Sequence, residues 1–331
     1  MIKLYLHIGP HKTGSTYIQR AFLENRDRLL KLGVNYPSVG LGEEIGGHYG
    51  HHKTLVEVTK QEPNALKEYF AQFLVNDINV VSSENFENLN LEQIKKLRAA
   101  LSTIDVKIVF YYRNYIDLLP SWWQEEVKHG SMTSFFEYVL PHVLRPFVSK
   151  ILNPAVVLDL YANAFGKENI IVVDYDRARN AGGILAPLWK LLGVELDGVK
   201  NEMVNSSLKM EFVEIIRALN AIAHANDQAN GPKMRSLFLR RRKEDPIRGA
   251  VDKLSAMINE YKKPLTLGGG FFEKSISTDF RKKYASNFIN QLSDDLPKRE
   301  VMVPSDNWIL TNDAHILCED IFRQIAAGEL G

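Results

Sequence analysis

Short apolar runs and amphipathic segments alternate along the first two hundred residues of the chain. Four of the apolar runs end at turn or polar residues, as buried strands do. These four runs cover residues 4–8, 78–81, 106–112 and 169–174. Segment 15–31 has helical spacing and ends before Gly33, and Asn90 with Gln93 forms a capping-box pattern that predicts another helix start. Strands that alternate with helices predict a parallel sheet covered on both faces, and therefore an α/β fold.

The pattern changes after about residue 200, where helical spacing dominates. The predicted helices cover residues 205–225, 247–260, 275–292 and 313–327. No obvious linker separates this part from the strands. We therefore predict a core over residues 1–200 and a mainly helical extension over residues 201–331 that packs on the core.

Composition excludes several classes of protein. The 331 residues are 45% apolar and 24% charged, as in a soluble globular protein. Lys and Arg total 41 against 40 Asp and Glu, so the net charge of +1 gives no reason to expect nucleic-acid binding. No run reaches the roughly 18 apolar residues of a membrane helix, and the amino terminus lacks a signal-peptide pattern. We expect a cytoplasmic protein that binds no nucleic acid and does not insert into a membrane.

The loop at residues 9–16, between the first strand and the first helix, carries the most specific chemistry. Its sequence is Gly-Pro-His-Lys-Thr-Gly-Ser-Thr. Backbone N–H groups at a helix start bind anions, Gly14 permits close approach, and hydroxyl groups add donors. The loop matches part of the phosphate-binding pattern G-x-x-x-x-G-K-[ST], but Ser15 stands at the lysine position and the lysine is Lys12. We predict a phosphate-binding loop that differs from that of ATPases.

A second candidate anion site follows the third strand. That strand ends at Arg113, which Asn114, Asp117 and Ser121 follow at fixed spacing. An arginine at the carboxyl end of a strand can form a forked, charge-assisted contact with a phosphate, and a serine on the next helix adds a hydroxyl.

Together these motifs resemble those of sulfotransferases that use 3′-phosphoadenosine 5′-phosphosulfate (PAPS), and bacterial members in particular. The first loop resembles the family's 5′-phosphosulfate loop residue by residue, over Lys12, Thr13, Gly14, Ser15 and Thr16. Arg113 and Ser121 are similar to the family's 3′-phosphate motif, although Tyr115 replaces its usual proline. A weaker third match ends at Tyr175 and Asp176.

The resemblance implies a P-loop-type three-layer sandwich with a parallel central sheet. The helical extension has no specific match in the family, and we expect it to contribute to the acceptor side. It also implies PAPS as co-substrate, adenosine 3′,5′-bisphosphate as product, and no metal.

Glu84 is the residue that we predict to act as general base. It lies just past the second strand, at the edge where open α/β sheets bind ligands, and glycan sulfotransferases have a glutamate in the same region. Glu87 is the less favoured alternative. Lys12 would stabilise the leaving phosphate, and His11 would supply a donor near the sulfuryl group.

His48, His51 and His52 crowd one loop. A metal site would need a fourth ligand nearby, and none follows in the sequence. We expect these histidines to contact the acceptor or to supply the base in place of Glu84, and a solvated loop is the equal alternative.

The predicted function is sulfuryl transfer from PAPS to a hydroxyl or amine of an acceptor, a carbohydrate, a glycoconjugate or another small molecule. Two alternatives remain. One is a P-loop kinase that uses Mg-ATP, which Ser15 disfavours because the lysine that handles terminal phosphates is missing there. The other is a non-catalytic protein that binds a nucleotide.

Overall fold

The computed structural model describes residues 1–42, 49–74, 76–196, 198–199, 208–228, 230–266, 276, 278–290 and 301–327. The chain forms two compact units, each built from three segments. The first unit contains Met1–Asn114, Phe147–Asn205 and Glu273–Leu296. The second unit contains Tyr115–Pro146, Ser206–Phe272 and Pro297–Gly331. This division differs from a single cut at residue 200, because the helices just after Asn114 pack with the later helices.

The first unit is built on a parallel sheet, and the predicted α/β fold is confirmed. Its strands among the described residues are, in spatial order, β2 (Val34–Asn35), β3 (Ile78–Ser82), β1 (Lys3–His7), β4 (Asp105–Tyr112) and β5 (Ile170–Asp174). The two-residue β2 was not among the predicted strands. β1 lies at the centre of this order, so the chain adds β2 and β3 on one side of β1 and then β4 and β5 on the other side. Such a switch point is where open α/β sheets bind ligands.

Side-chain alternation along the strands produces two cores, one on each face of the sheet. Leu4 and Leu6 point to one face and Tyr5 to the other, as the two-residue period requires. The first face packs against α3 (His52–Lys60), α4 (Pro63–Ala71), α5 (Leu91–Ala100), α8 (Ala155–Phe165) and α14 (Thr278–Lys283). The second face packs against α1 (Ser15–Glu24), α2 (Arg26–Lys31), α9 (Tyr175–Asn180) and α10 (Ala186–Leu192). The unit is therefore a three-layer sandwich.

Local signals explain where several helices begin and end. The capping box at the start of α5 is confirmed, since Asn90 and Gln93 exchange side-chain to backbone hydrogen bonds at 3.0 Å. The single helix predicted over 15–31 is wrong. Asn25 interrupts it, and its side-chain amide donates to the Ala21 carbonyl at 2.9 Å, which satisfies the end of α1.

Residues 285–290 cover the outer edge of β5. The Asn290 side chain forms two hydrogen bonds with the backbone of Asp174, at 2.8 and 2.9 Å, and the Ile289 N–H donates to the Val172 carbonyl. This segment falls within the helix predicted over 275–292, which here is α14 followed by a 3₁₀ turn at Ala285–Asn287. An edge strand that is covered in this way does not offer free N–H and C=O groups to another chain.

The second unit, taken by itself, is mainly helical. Its elements are α6 (Tyr115–Lys128), α7 (Phe135–Leu144), α11 (Met210–Ala225), α12 (Gly231–Arg241), α13 (Ile247–Glu260), α15 (Asn312–Ala326) and the antiparallel pair β6 (Lys263–Pro264) and β7 (Met302–Val303). Inside it, Glu214 forms an ion pair with Arg217 at 2.7 Å and accepts the Trp308 indole N–H at 2.8 Å. The buried charges are thus paired and hydrogen-bonded. Over the described ranges, no helix is long and apolar enough to cross a membrane.

Candidate functional site

The loop after β1 adopts backbone conformations that few residues tolerate. Gly9, Lys12 and Gly14 all have positive φ angles, of 103°, 66° and 79°. The φ of Gly14 favours glycine, and a Cβ there would displace the Cδ1 atom of Ile184, which would lie 2.4 Å away. The buried hydroxyl of Thr13 donates to the Pro10 carbonyl at 2.6 Å and closes the loop.

This loop leads directly into α1, whose first turn lacks both an acidic residue and a side-chain cap. Ser15 and Thr16 are the first two residues of the helix. The N–H groups of that turn have no partner within the helix, and the helix dipole makes this end positive. The start of α1 therefore suits an anion, and the part that Lys12 takes in binding it stays a prediction.

Arg113, at the end of β4, joins this loop to the second motif. Its guanidinium donates a short hydrogen bond to the carbonyl oxygen of Lys12. It also lies over the ring of Tyr175, 5.2 Å from the ring centre. The Nε atom of Arg113 is buried without a hydrogen-bond partner, which leaves one donor of the fork for another group.

The third and weakest motif meets the second. The backbone N–H of Asn114 donates to the Asp176 carboxylate at 3.1 Å, and Tyr175 begins α9 immediately after β5. The three motif segments that sequence analysis singled out therefore lie together at the carboxyl ends of β1, β4 and β5. Ser121 belongs to α6 in the second unit, where its hydroxyl donates to the Asp117 carbonyl at 2.7 Å, and its role in phosphate binding stays a prediction.

Glu84 starts a 3₁₀ turn, Glu84–Asn88, directly after β3. Its carboxylate accepts a hydrogen bond from the side-chain amide of Gln19 at 2.6 Å. Burial acts to raise the pKa of this carboxyl, but its own backbone N–H, His52, Gln19 and His11 outweigh burial and hold the pKa below its ordinary value. Glu84 is therefore ionised at neutral pH and able to accept a proton.

The phosphate loop and Glu84 are close neighbours. A Cβ at Gly9 would lie 3.1 Å from the Cα atom of Glu84, so the two chain segments pass in near contact. At the ends of the two strands that precede these segments, Nδ1 of His7 lies 2.7 Å from the Ser82 hydroxyl. This hydrogen bond links the end of β1 to the end of β3. Burial lowers the pKa of His7 to about 4, which keeps this imidazole neutral. His7 borders an apolar cavity of about 10 Å³, and its Nε2 atom is buried without a hydrogen-bond partner.

A chain of polar side chains runs from the loop across the Glu84 segment. Nε2 of His11 lies 3.0 Å from Oδ1 of Asn85, and Nδ2 of Asn85 lies 3.2 Å from Nδ1 of His52. The same His52 nitrogen lies 2.9 Å from the Ser83 hydroxyl. Two of the predicted site histidines are thus linked through Asn85, a residue that sequence analysis missed.

The other two loop histidines differ from His52. His51 is fully buried, and its ring accepts the Ser82 N–H and donates to the Pro37 carbonyl, so both ring nitrogens have protein partners. Burial lowers the pKa of His51 to about 4. His48 lies outside the described residues.

Glu87, the less favoured candidate base, is in a different state from Glu84. Burial raises its pKa to about 8, although the backbone N–H of His11 and the charge of Lys150 act in the opposite direction. Its Oε1 atom lies 3.8 Å from Nε2 of His11. Glu87 therefore carries a proton at neutral pH, beside a Glu84 that does not.

Gln19, which contacts Glu84, and Gly50, which packs against Gln19, had no signal in the sequence. Gln19 is nearly fully buried on α1, between apolar residues at helical spacing, where a polar residue is usually interpreted as solvent-facing. Gly50 leaves room for it, because a Cβ there would lie 2.6 Å from Cδ of Gln19. Within the described residues, no three His, Cys, Asp or Glu side chains are placed to hold a metal ion.

Comparison with known proteins yields distant similarities. No protein-family model matches the chain. An uncharacterized protein of Archaeoglobus fulgidus is 28% identical over 144 residues, which are 43% of this chain and only 38% of that protein. The crystal structure of a sulfotransferase from Alicyclobacillus acidocaldarius covers 66% of this chain and 95% of its own, with a TM-score of 0.36 and 17% identity. Similarity at these levels assigns no family, and the function has to be inferred from the residues of the chain itself.

Proposed function

We propose that this protein is a sulfotransferase that moves the sulfuryl group of PAPS to a hydroxyl or amine of an acceptor. The observation that carries the proposal is the hydrogen bond from Arg113 to the carbonyl of Lys12, because it joins two motifs that resemble the two phosphate-binding motifs of PAPS-dependent enzymes. A donor with a 3′-phosphate and a 5′-phosphosulfate needs two cationic elements close to each other.

The residues present suit such a donor. Lys12, Gly14 and the start of α1 form a positive, close-packed loop for the 5′ side. Arg113 has a buried Nε–H without a protein partner, and a phosphate oxygen is a natural acceptor for it.

The proposed chemistry is an in-line displacement at sulfur. A bond forms between the acceptor oxygen or nitrogen and the sulfur, while the bond between the sulfur and the 5′-phosphate oxygen breaks. The proton of the acceptor passes to the ionised carboxylate of Glu84. Lys12 stabilises the charge that develops on the leaving phosphate. The products are the sulfated acceptor and adenosine 3′,5′-bisphosphate.

We further propose a carbohydrate or glycoconjugate as the acceptor. This rests on the position of Glu84, which resembles that of the base in glycan sulfotransferases. Polar side chains of His11, Asn85 and His52 beside Glu84 offer donors and acceptors of the kind that hydroxyl-rich acceptors need.

The direct test is thermal unfolding of the protein with nucleotides and without Mg²⁺. Adenosine 3′,5′-bisphosphate at 100 times its Kd should add about 2.7 kcal/mol to the free energy of unfolding and raise Tm accordingly. Adenosine 5′-monophosphate, which lacks the 3′-phosphate, should raise Tm much less at the same concentration. Stabilisation by Mg-ATP together with no response to the bisphosphate would reject the proposal in favour of a kinase.

A further inference from the structure

The side-chain amide of Asn85 lies between two histidines of the candidate site. Its Oδ1 atom is 3.0 Å from Nε2 of His11, and its Nδ2 atom is 3.2 Å from Nδ1 of His52. A primary amide accepts hydrogen bonds only at its oxygen and donates only at its nitrogen. The two facing ring nitrogens must therefore be in opposite states, one with a proton and one without.

The neighbours determine which nitrogen is which. Nε2 of His11 lies 3.0 Å from the amide oxygen, which can only accept, so this nitrogen carries a proton. Nδ1 of His52 faces the amide N–H, and the Ser83 hydroxyl, 2.9 Å away, can donate to the same lone pair. His52 therefore has its proton on Nε2.

We propose that Asn85 is a positioning residue that keeps His52 in its neutral Nε2–H form and keeps a proton on Nε2 of His11. A proton on Nδ1 of His52 would make that nitrogen a donor that faces the N–H of the Asn85 amide, and the hydrogen bond between them would be lost. The protonation pattern follows from the geometry alone, while its importance for turnover rests on the proposed function.

Nearby charges affect the protonation of both histidine rings, so a test must distinguish their effect from the effect of the Asn85 amide. Glu84 favours the charged form of both rings, whereas the two rings disfavour each other's charge. Among the described residues, Glu87 and Lys12 also lie near His11, and His51 lies near His52.

Asn85→Asp is the decisive variant, because a carboxylate accepts hydrogen bonds at both oxygens and has no N–H. We expect Nδ1 of His52 to become protonated in it, and the pKa values of His11 and His52 to rise by about 1–3 units. Asn88→Asp is the matched control. Asn88 lies three residues away, is exposed, and contacts Lys150. The control adds the same charge nearby but leaves the amide of Asn85 in place.

The measurement is ¹⁵N NMR of the full chain labelled at histidine, without donor or acceptor, between pH 5 and 9. The ring signals are assigned with His11→Gln and His52→Gln. The wild type should show an unprotonated Nδ1 and a protonated Nε2 at His52, and Asn88→Asp should keep that pattern. A protonated Nδ1 of His52 in the wild type, or the same tautomers and pKa values in Asn85→Asp and Asn88→Asp, would overturn the proposal.

Asn85→Leu provides a second measurement, since it removes both hydrogen bonds without adding charge. We expect both tautomers of His52 to be populated in this variant, and a His52 that remains wholly Nε2–H would contradict a role for the amide. Should the leucine variant fail to fold, the comparison of Asn85→Asp with Asn88→Asp still decides. The spectra are recorded without donor or acceptor, so they do not depend on sulfotransferase activity. Each of the two proposals can therefore fail without the other.

Discussion

Replacing Arg113 with alanine removes a guanidinium that contacts two of the three motif segments. It donates to the Lys12 carbonyl and lies over the Tyr175 ring. A hydrogen bond from a charged group contributes about 1.5–3 kcal/mol, and a cation–π contact at an exposed site about 0.5–1 kcal/mol. Because Arg113 is only partly buried, we expect the lower end of the sum, a loss of about 2 kcal/mol in the free energy of unfolding.

The same substitution should also weaken binding of adenosine 3′,5′-bisphosphate. Under the proposed function, Arg113 contributes a charge-assisted hydrogen bond to the 3′-phosphate, and its loss should raise Kd about 10- to 100-fold. The two effects are separable, since stability is measured without ligand and affinity on the folded variant.

Urea unfolding measures the first effect and isothermal titration calorimetry the second. Arg179→Ala is the control, because it removes the same charge from an exposed position on α9 of the same unit. A variant Arg113→Ala that matches Arg179→Ala in stability and binds the bisphosphate as tightly as the wild type would refute the reasoning. Arg113 would then neither hold the loop nor contact a phosphate.

Glu84→Gln keeps the shape of the side chain but removes the base, so sulfuryl transfer measured with sulfur-35 donor should slow about 10²–10⁴-fold while bisphosphate affinity stays near that of the wild type. A near-wild-type rate would move the base to the histidines. Gly50→Ala should lower the free energy of unfolding by about 1–3 kcal/mol, since its Cβ would collide with Gln19, whereas Gly249→Ala, where a Cβ meets open space, should not. Glu87 has its pKa raised to about 8 from 4.5, so the folded state binds the extra proton between these values and stability falls as pH rises through them. Glu87→Gln should remove that decline in urea titrations at pH 5, 6.5 and 8; equal slopes for variant and wild type would contradict the shift.

The strands and the motif positions could be predicted because they depend on short-range patterns. An apolar run that stops at Gly9 or Arg113 indicates both a buried strand and its end, and the chemistry follows at that end. The division of the helices could not be predicted in the same way. Periodicity in α6 shows that one face is buried but carries no information on which partner buries it.

Contacts across the sequence also escaped prediction for a physical reason. Asn85 looks like an ordinary residue of a turn, and its importance comes from two histidines that lie 74 and 33 residues away in the chain. Segment 285–290 carries a helical pattern, yet pairing with the edge of β5 determines its conformation there. Tertiary contacts override local preference in such places.

The covering of β5 has a consequence for how the chain is made. Asn290, which closes the edge of that strand, is synthesised 116 residues after its partner Asp174. During translation the strand therefore spends a long interval with one row of N–H and C=O groups open to any neighbouring chain. A fragment that stops near residue 200 keeps this edge open permanently. Recombinant production of the sheet without its late segment should thus favour self-association over a folded monomer.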